Sequence, residues 1–197
     1  MELELTCIRH GATQWNKERR YLGHTDVGIL QESLIELAPV KEALKGRSFR
    51  KVFCSDLKRC RETLDWIYTV SADQVVFDNR LREMDFGEWE GRTYDQLKHL
   101  DTYRNWLSDP ESSTPPGGES WGHFQGRIAD FMNGLTCFTK EESKDNQLLI
   151  VAHGGVIRQI ATMTVPGSSF WDFSADPGSL LTLKLTFDGG KWTGYVG

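Results

Sequence analysis

The sequence has little cysteine, and its cysteines show no pattern of a disulfide framework. None of the four, Cys7, Cys54, Cys60 and Cys137, belongs to a Cys-X-X-Cys pair, and four are too sparse for a disulfide scaffold in 197 residues. Cys7 and Cys54 lie in apolar, strand-like runs, where we expect buried free thiols. These features predict a protein of a reducing compartment, the cytoplasm.

Long apolar segments and an excess of basic residues are also missing. No stretch approaches the roughly 18 consecutive apolar residues that a membrane-spanning helix needs. The amino-terminal residues, Met1 to Leu5, are acidic and lack the basic and then apolar regions of a signal peptide. A formal net charge of −5 argues against electrostatic binding of nucleic acid. We therefore expect a globular protein with neither membrane nor nucleic acid as a partner.

Strand-like and helix-like patterns alternate along the chain, without repeats or an obvious linker. Strand-like runs cover residues 3–8, 51–54, 74–77 and 147–152, and a hairpin is predicted from the alternation at 181–185 and the turn at Gly189-Gly190. This order favours a mainly parallel sheet with helices on both faces. The length suits one domain, over residues 1–197.

Several helix boundaries follow from the local sequence. Apolar residues recur at helical spacing from Leu30 to Leu44 and predict a helix there. Pro39 lies inside this segment and should kink or split the helix. Ser55 or Asp56 is expected to cap the next helix. A longer apolar stripe from Trp121 to Phe138 predicts another helix, after a loop over residues 109–120.

Two histidines each follow a strand-like run and precede a glycine. Arg9-His10-Gly11 comes after the first run, and His153-Gly154-Gly155 comes after Leu148 to Ala152. Because ligands bind at the carboxyl ends of parallel strands, we expect one shared site. An arginine offers a fork of donors that matches phosphate oxygens, and a neutral imidazole can attack phosphorus. The pattern predicts a phosphate-handling centre, although His153 taken alone also fits a buried core histidine.

Arg59 is a further candidate for binding phosphate. It is expected in the first turn of the helix after Cys54, where amide donors and the helix dipole favour an anion. The alternative is a solvated helix arginine, as we expect for Lys58 and Arg61. The residues alone leave both interpretations open.

A general acid is expected in the segment from Leu81 to Gly91, which mixes carboxylates with large apolar residues. Such surroundings can raise the pKa of a carboxyl group towards neutrality. The segment does not by itself choose among its four carboxylates, Glu83, Asp85, Glu88 and Glu90. For the last three, ordinary surface charge is the alternative interpretation. A zinc site from His10, His24 and His153 is disfavoured, because no metal-binding spacing supports it.

The segment from Arg9 to Asn16 strongly resembles the opening motif of the histidine phosphatase (phosphoglycerate-mutase-like) superfamily. Other blocks that resemble the family follow in its order: Gly23–Asp26, Ser55–Thr63, Leu81–Gly91, Pro116–Ser120 and Val151–Gly155. Together they extend from about residue 3 to residue 186. The resemblance implies the family's three-layer α/β/α sandwich with a mainly parallel central sheet.

The resemblance also implies site residues and a mechanism without a metal or organic cofactor. His10 matches the nucleophile that becomes phosphorylated, and Glu83 matches the proton donor that later activates water. The positive phosphate pocket would be completed by Arg9, Arg59 and His153. Further phosphate or substrate contacts are implied for Thr13, Asn16, Gly23 and Gly154.

Departures from the family pattern bear on the reaction type. Ala12 stands where many relatives have glutamate, and Gly28-Ile29 stands where a proline-leucine pair is common. Mutases of the family have a longer insertion with clustered basic residues after the segment that carries the acid. The corresponding region here, residues 93–120, is short, and its only basic residues are Lys98, His99 and Arg104. This shortage favours a phosphatase over a phosphoglycerate mutase. An inactive phospho-ligand-binding regulatory module is a third, less favoured hypothesis.

The expected substrate is a small phosphorylated metabolite. The short chain, Pro116–Ser120 and Asp176–Ser179 are most similar to bacterial α-ribazole phosphatases and related broad-specificity phosphatases, so α-ribazole phosphate is one candidate. Some aromatic residues are expected either to line a pocket for an apolar or ring-bearing leaving group or to belong to the core: Trp15, Trp89, Tyr94, Tyr103, Trp106 and Trp171. We expect a monomer or a homodimer.

Overall fold

Six strands form one sheet in the computed structural model, which describes residues 2–139 and 146–197. The strands are β1 (Glu2–Arg9), β2 (Lys51–Cys54), β3 (Val75–Phe77), β4 (Gln147–Ala152), β5 (Leu180–Phe187) and β6 (Trp192–Val196). Their order is β3-β2-β4-β1-β5-β6. The first four are mutually parallel, and β5 and β6 extend the sheet as an antiparallel hairpin. The mainly parallel sheet and the hairpin are both confirmed.

Helices cover both faces of this sheet. In the described part of the chain they are α1 (Gln14–Lys17), α2 (Ser33–Glu36), α3 (Ala38–Leu44), α4 (Lys58–Ile67), α5 (Tyr94–Leu97), α6 (Asp101–Ser108), α7 (Trp121–Gly134) and α8 (Gly154–Thr164). Successive side chains of a strand point to opposite faces. In β4, Leu148 and Ile150 therefore pack in one core with α7 and α8, whereas Leu149 and Val151 pack in another with α3 and α4. The three-layer sandwich is confirmed.

The helix predicted around Pro39 is split, as expected. The helix α2 ends at Glu36, and α3 begins at Ala38 with Pro39 in its first turn, where a missing N–H breaks no helical hydrogen bond. The longer stripe towards Phe138 stays α-helical only to Gly134 and continues as a 3-10 turn.

The predicted cap of α4 is wrong. Its N-cap is Leu57, whose side chain makes no capping hydrogen bond. Ser55 Oγ lies instead 2.9 Å from His153 Nε2, and Asp56 pairs with Arg82 at 2.6 Å. Both polar side chains are used in contacts with distant segments, which local sequence does not reveal.

A small separate core lies under α5 and α6. It consists of Trp89, Leu97 and Tyr103, with Phe86 and Trp106 packed against it. The residues from 109 to 120 that follow α6 contain no helix or strand, as predicted. Among the described residues, no helix has both the length and the apolar character required to cross a bilayer.

Candidate active site

The carboxyl ends of β1 and β4 place His10 and His153 side by side. The two strands are parallel neighbours, with Arg9 opposite Ala152, so the residues that follow them meet at one edge of the sheet. The ring centroids of the two histidines are 5.1 Å apart, and the ring planes form an angle of 64°. His10 is 3% exposed and His153 is fully buried.

His10 is held as a neutral imidazole with a free lone pair on Nε2. Its Nδ1 lies 2.8 Å from the carbonyl oxygen of Gly11. Because a carbonyl oxygen only accepts, Nδ1 carries the proton and Nε2 does not. Burial, and then the positive charges of Arg59 and Arg9, lower the pKa of His10 well below 6.5. At neutral pH, Nε2 therefore has a free lone pair.

His153 has the opposite tautomer. Arg59 Nε donates to His153 Nδ1 at 3.2 Å, so Nδ1 is an acceptor and the ring proton lies on Nε2. That Nε2 is 2.9 Å from Ser55 Oγ and donates to it. Burial, together with the charge of Arg59, lowers the pKa of His153 well below its ordinary range. In this arrangement, His153 orients Arg59 and uses its one N–H on Ser55.

The two buried histidines should make the free energy of unfolding depend on pH. In the unfolded chain a histidine titrates near pH 6.5, whereas in the folded protein both rings stay neutral at that pH. The unfolded state therefore binds more protons below about pH 6.5. We expect the free energy of unfolding to fall between about pH 6.5 and 5, approaching about 1.4 kcal/mol per pH unit for each histidine. Urea unfolding at a series of pH values measures this slope.

Single variants separate the buried histidines from other titrating groups. The variant His10→Gln should show about half of the slope, since one buried histidine is left. The variant His123→Gln, which removes an exposed histidine of α7, should retain the slope of the wild type. An undiminished slope in His10→Gln would contradict the assignment.

Arg59 enters the site from the first turn of α4 and is fully buried. Its guanidinium donates to the carbonyl oxygens of Gly23 at 2.7 Å and Thr25 at 2.9 Å, besides the bond to His153. A Cβ atom at residue 23 would lie 2.3 Å from the backbone oxygen of Met84, so this carbonyl can approach Arg59 only from a glycine. The solvated alternative for Arg59 does not hold.

Arg9 approaches from the end of β1. One of its terminal nitrogens donates to the carbonyl oxygen of Ala175. Its Nε is buried and has no hydrogen-bond partner among the described residues. The guanidinium lies against Gly154, where an added Cβ would be 3.4 Å from the Arg9 Cζ. A buried, unpaired donor beside His10 is a place for an anion to bind.

Glu83 is held against the start of α8. Its Oε2 accepts from the N–H of Gly155 at 2.9 Å, and its Oε1 accepts from the N–H of Met84 at 3.0 Å. A Cβ at residue 155 would lie 2.3 Å from Glu83 Oε1, so the glycine leaves room for the carboxylate. Glu83 therefore lies at the site, in contact with the segment that follows His153.

The other three carboxylates of this segment have different surroundings. Glu90 is half-buried, and its oxygens accept from the backbone N–H groups of His24 and Thr25, each at 2.7 Å. Glu90 thereby fixes the loop whose carbonyls bind Arg59, a contribution that the interpretation as surface charge missed. Asp85 accepts from Gly87 N–H at 2.8 Å, and Glu88 is an exposed residue of a 3-10 turn.

Thr13 and Asn16 form the turn that follows His10. Thr13 is the N-cap of α1; its Oγ1 accepts from the Asn16 N–H at 3.2 Å, and Asn16 Oδ1 accepts from the Thr13 N–H at 3.0 Å. This reciprocal capping box fixes the chain direction after His10. Thr13 is fully buried, and Asn16 has its amide nitrogen left for other contacts.

Thr63 is a residue of the site that the sequence interpretation missed. Its Oγ1 accepts from the Gly11 N–H at 3.0 Å and donates to the Arg59 carbonyl oxygen at 2.7 Å. It thus joins the loop after His10 to α4. The helical spacing of the sequence could have indicated it, because Thr63 lies four residues after Arg59 and therefore on the same, buried face of the helix.

A cavity of about 500 Å³ opens beside Glu83 and Gly155. Arg158 contributes to its wall, with its Nε bound to the Phe173 carbonyl oxygen at 2.9 Å. The remaining wall is largely aromatic, from Tyr21, Phe86, Trp106, Trp121, Phe124, Phe170 and Trp171. Of the aromatic residues predicted either to line a pocket or to belong to the core, Trp106 and Trp171 line this cavity, whereas Trp89 belongs to the core.

In the described ranges, no cluster of three or more potential metal ligands is found.

Known proteins resemble this chain over almost its entire length. A model of the histidine phosphatase superfamily (branch 1) matches residues 5–196. The adenosylcobalamin/alpha-ribazole phosphatase of Salmonella typhimurium is 30% identical over 180 residues, which are 89% of this chain and 87% of that protein. Phosphoglycerate mutase-like protein 4 of Arabidopsis thaliana is 30% identical over 195 residues, 96% of this chain and 82% of that protein.

A solved structure shows the same fold. The crystal structure of the alpha-ribazole phosphatase from Shigella flexneri matches with a TM-score of 0.81 at 29% identity, and it covers 98% of this chain and 95% of that chain. The family match, the fold and these relatives confirm the resemblance stated from the sequence motifs. The chain belongs to the histidine phosphatase superfamily (branch 1) and is a phosphatase.

Proposed function

We propose that this enzyme hydrolyses a small phosphorylated metabolite through a phosphohistidine at Nε2 of His10. The observation that carries the proposal is the buried neutral ring of His10. Its Nδ1 is bound to Gly11, and its pKa is lowered by burial and by the charges of Arg59 and Arg9. Residues 1–197 would act as one such domain, in the cytoplasm and without a metal or organic cofactor.

The phosphoryl group would be bound by the cations around His10. Arg9 offers its unpaired Nε, and Arg59 has N–H groups beyond the three that bind Gly23, Thr25 and His153. Stabilising the negative charge on the phosphoryl oxygens with nearby cationic groups is the main catalytic requirement of phosphoryl transfer. His153 would support this pocket by orienting Arg59, with further contacts from Asn16 and the Gly154 N–H. Thr13 and Gly23 would contribute by shaping the loops.

The reaction then has two steps at one phosphorus atom. In the first, the lone pair of His10 Nε2 forms the N–P bond while the ester P–O bond breaks, and Glu83 donates a proton to the departing oxygen. In the second, Glu83 takes a proton from water, the water oxygen bonds to phosphorus, and the N–P bond breaks. Inorganic phosphate leaves, and His10 is neutral again.

The leaving group would occupy the aromatic cavity beside Glu83. The cavity is about 500 Å³ and is lined by flat rings, including Trp106 and Trp171, so it favours an apolar or ring-bearing group. Two similar proteins are named as alpha-ribazole phosphatases. Alpha-ribazole phosphate, with a ring system beside its phosphorylated ribose, is the specific substrate that we propose.

A comparison of substrates tests this function. The purified enzyme is given alpha-ribazole phosphate, ribose 5-phosphate or 3-phosphoglycerate, and the release of inorganic phosphate and the formation of 2-phosphoglycerate are both measured. We expect alpha-ribazole phosphate to exceed ribose 5-phosphate in kcat/KM by about tenfold or more, since its ring adds apolar contact area. Isomerisation of phosphoglycerate faster than phosphate release would establish a mutase instead. No preference for the ring-bearing ester would overturn the assigned substrate.

A further inference from the structure

Arg127 uses all five donors of its side chain, three of them on the backbone of residues 80–83 and two on Glu119. From α7, its Nε and one terminal nitrogen bind the carboxylate of Glu119 at 2.7 and 2.9 Å. The terminal nitrogens also donate to three backbone carbonyl oxygens, those of Arg80 and Arg82 at 2.6 Å each and that of Glu83 at 2.9 Å. A guanidinium has five N–H groups, so this set is complete.

The Glu83 segment depends on these bonds because it lacks a regular hydrogen-bonding pattern of its own. Residues 83–86 belong to no helix or strand. The carbonyls of Arg82 and Glu83, on either side of the Glu83 Cα atom, are both bound by Arg127. The orientation of both peptide planes is thereby set, and with it the direction in which the Glu83 side chain leaves the backbone.

Glu119 holds the guanidinium in place for this purpose. The side chains of Arg127 and Glu119 are 17% and 13% exposed, and they meet in a two-pronged ion pair. The Glu119 N–H also donates to the Asp85 carbonyl oxygen at 2.9 Å, so Glu119 binds the same segment two residues further on. Neither Arg127 nor Glu119 lines the aromatic cavity beside Glu83.

We propose that Arg127, oriented by Glu119, is the positioning residue for proton transfer by Glu83. This inference rests on the proposed role of Glu83 as the proton donor. A donor must lie within hydrogen-bonding reach of the leaving oxygen, and a displacement of about 1 Å can cost a factor of 10² in rate. Without Arg127, the backbone of Glu83 is free to rotate, and the carboxyl group loses its alignment with the leaving group.

The dependence of the rate on the leaving group distinguishes this role from a merely structural one. A phenolate that is stable as an anion needs no proton to leave, whereas a more basic one does. We therefore compare kcat/KM for 4-nitrophenyl phosphate and phenyl phosphate. In Arg127→Met we expect a loss of about 10–10² on phenyl phosphate and about threefold or less on 4-nitrophenyl phosphate. Arg127→Lys, which keeps the charge but not the fork, should lie between wild type and Arg127→Met.

Three further variants complete the experiment. Glu119→Gln should shift the ratio of the two rates in the same direction, and it tests the proposal even if Arg127→Met does not fold. Glu83→Gln sets the full effect of removing the donor, about 10²–10⁴ on phenyl phosphate. Arg104→Met is the matched control, because its side chain pairs with the exposed Asp101 within α6; its ratio of the two rates should equal that of the wild type.

The outcomes separate the inference from the function on which it rests. If Glu83→Gln leaves the ratio unchanged, the role of Glu83 is wrong and the inference falls with it. If Glu83→Gln shifts the ratio but neither Arg127→Met nor Glu119→Gln does, only the positioning role is overturned. Equal losses on both substrates in Arg127→Met and Glu119→Gln would show that these residues contribute only to the stability of the fold. That result would also overturn the positioning role.

Discussion

Replacing His10 by glutamine is expected to lower kcat/KM for phosphate monoesters by about 10⁴-fold or more. Glutamine has a similar reach, and its amide can still donate to the Gly11 carbonyl, but it has no nitrogen lone pair that attacks phosphorus. The covalent intermediate should vanish together with turnover. Both are measured on the same samples, by phosphate release and by trapping the labelled enzyme.

The trap exploits the chemistry of the N–P bond, which survives alkali and breaks in acid. Wild-type enzyme mixed with a radiolabelled monoester and quenched in alkali should retain label, whereas His10→Gln should retain none. His123→Gln, which changes an exposed histidine, should label and turn over like the wild type. Equal labelling of wild type and His10→Gln, or no labelling of either, would contradict covalent catalysis by His10.

Replacing Arg59 by lysine is expected to lower kcat/KM by about 10³-fold even though the positive charge is kept. The Arg59 guanidinium binds Gly23, Thr25 and His153 at one time and still has N–H groups left for phosphate. An ammonium group has three donors on a flexible stem and cannot reproduce this fork. The loss should appear in steady-state kinetics with any monoester, since the phosphoryl group is common to all of them.

The same substitution two residues along α4 provides the control. Arg61 is exposed, and its guanidinium lies 4.5 Å from the ring centre of Phe77. Arg61→Lys should keep activity within about twofold, as expected for a surface change. Urea unfolding of both variants shows how much of any loss comes from stability. Similar activity in Arg59→Lys and Arg61→Lys would refute the role of the Arg59 fork.

The order of elements and the location of the site could be predicted from local patterns. Apolar runs ending in Arg9-His10-Gly11 and His153-Gly154-Gly155 correspond to adjacent parallel strands, and Pro39 separates α2 from α3 as expected. These features follow from backbone sterics and from hydrophobic periodicity, which act over a few residues. Local sequence is therefore sufficient to state them.

Hydrogen-bond partners far apart in the chain could not be predicted in this way. Ser55 and Asp56 have the residue types of an N-cap, yet they bind His153 and Arg82. Glu90 has the character of surface charge in the sequence, yet it fixes the His24–Thr25 loop. Each of these side chains has several acceptable partners, and only the packing of distant segments selects one.

The sequence alone determined that this protein is a phosphatase of a known superfamily, with a mainly parallel sheet and two histidines at one edge of that sheet. Only the tertiary structure decided how those histidines are protonated, how Arg59 is oriented and what holds Glu83. The physical reason is that secondary structure and strand ends depend on near neighbours. A tautomer or a guanidinium geometry depends instead on which carbonyl or hydroxyl is brought within about 3 Å by the folded chain.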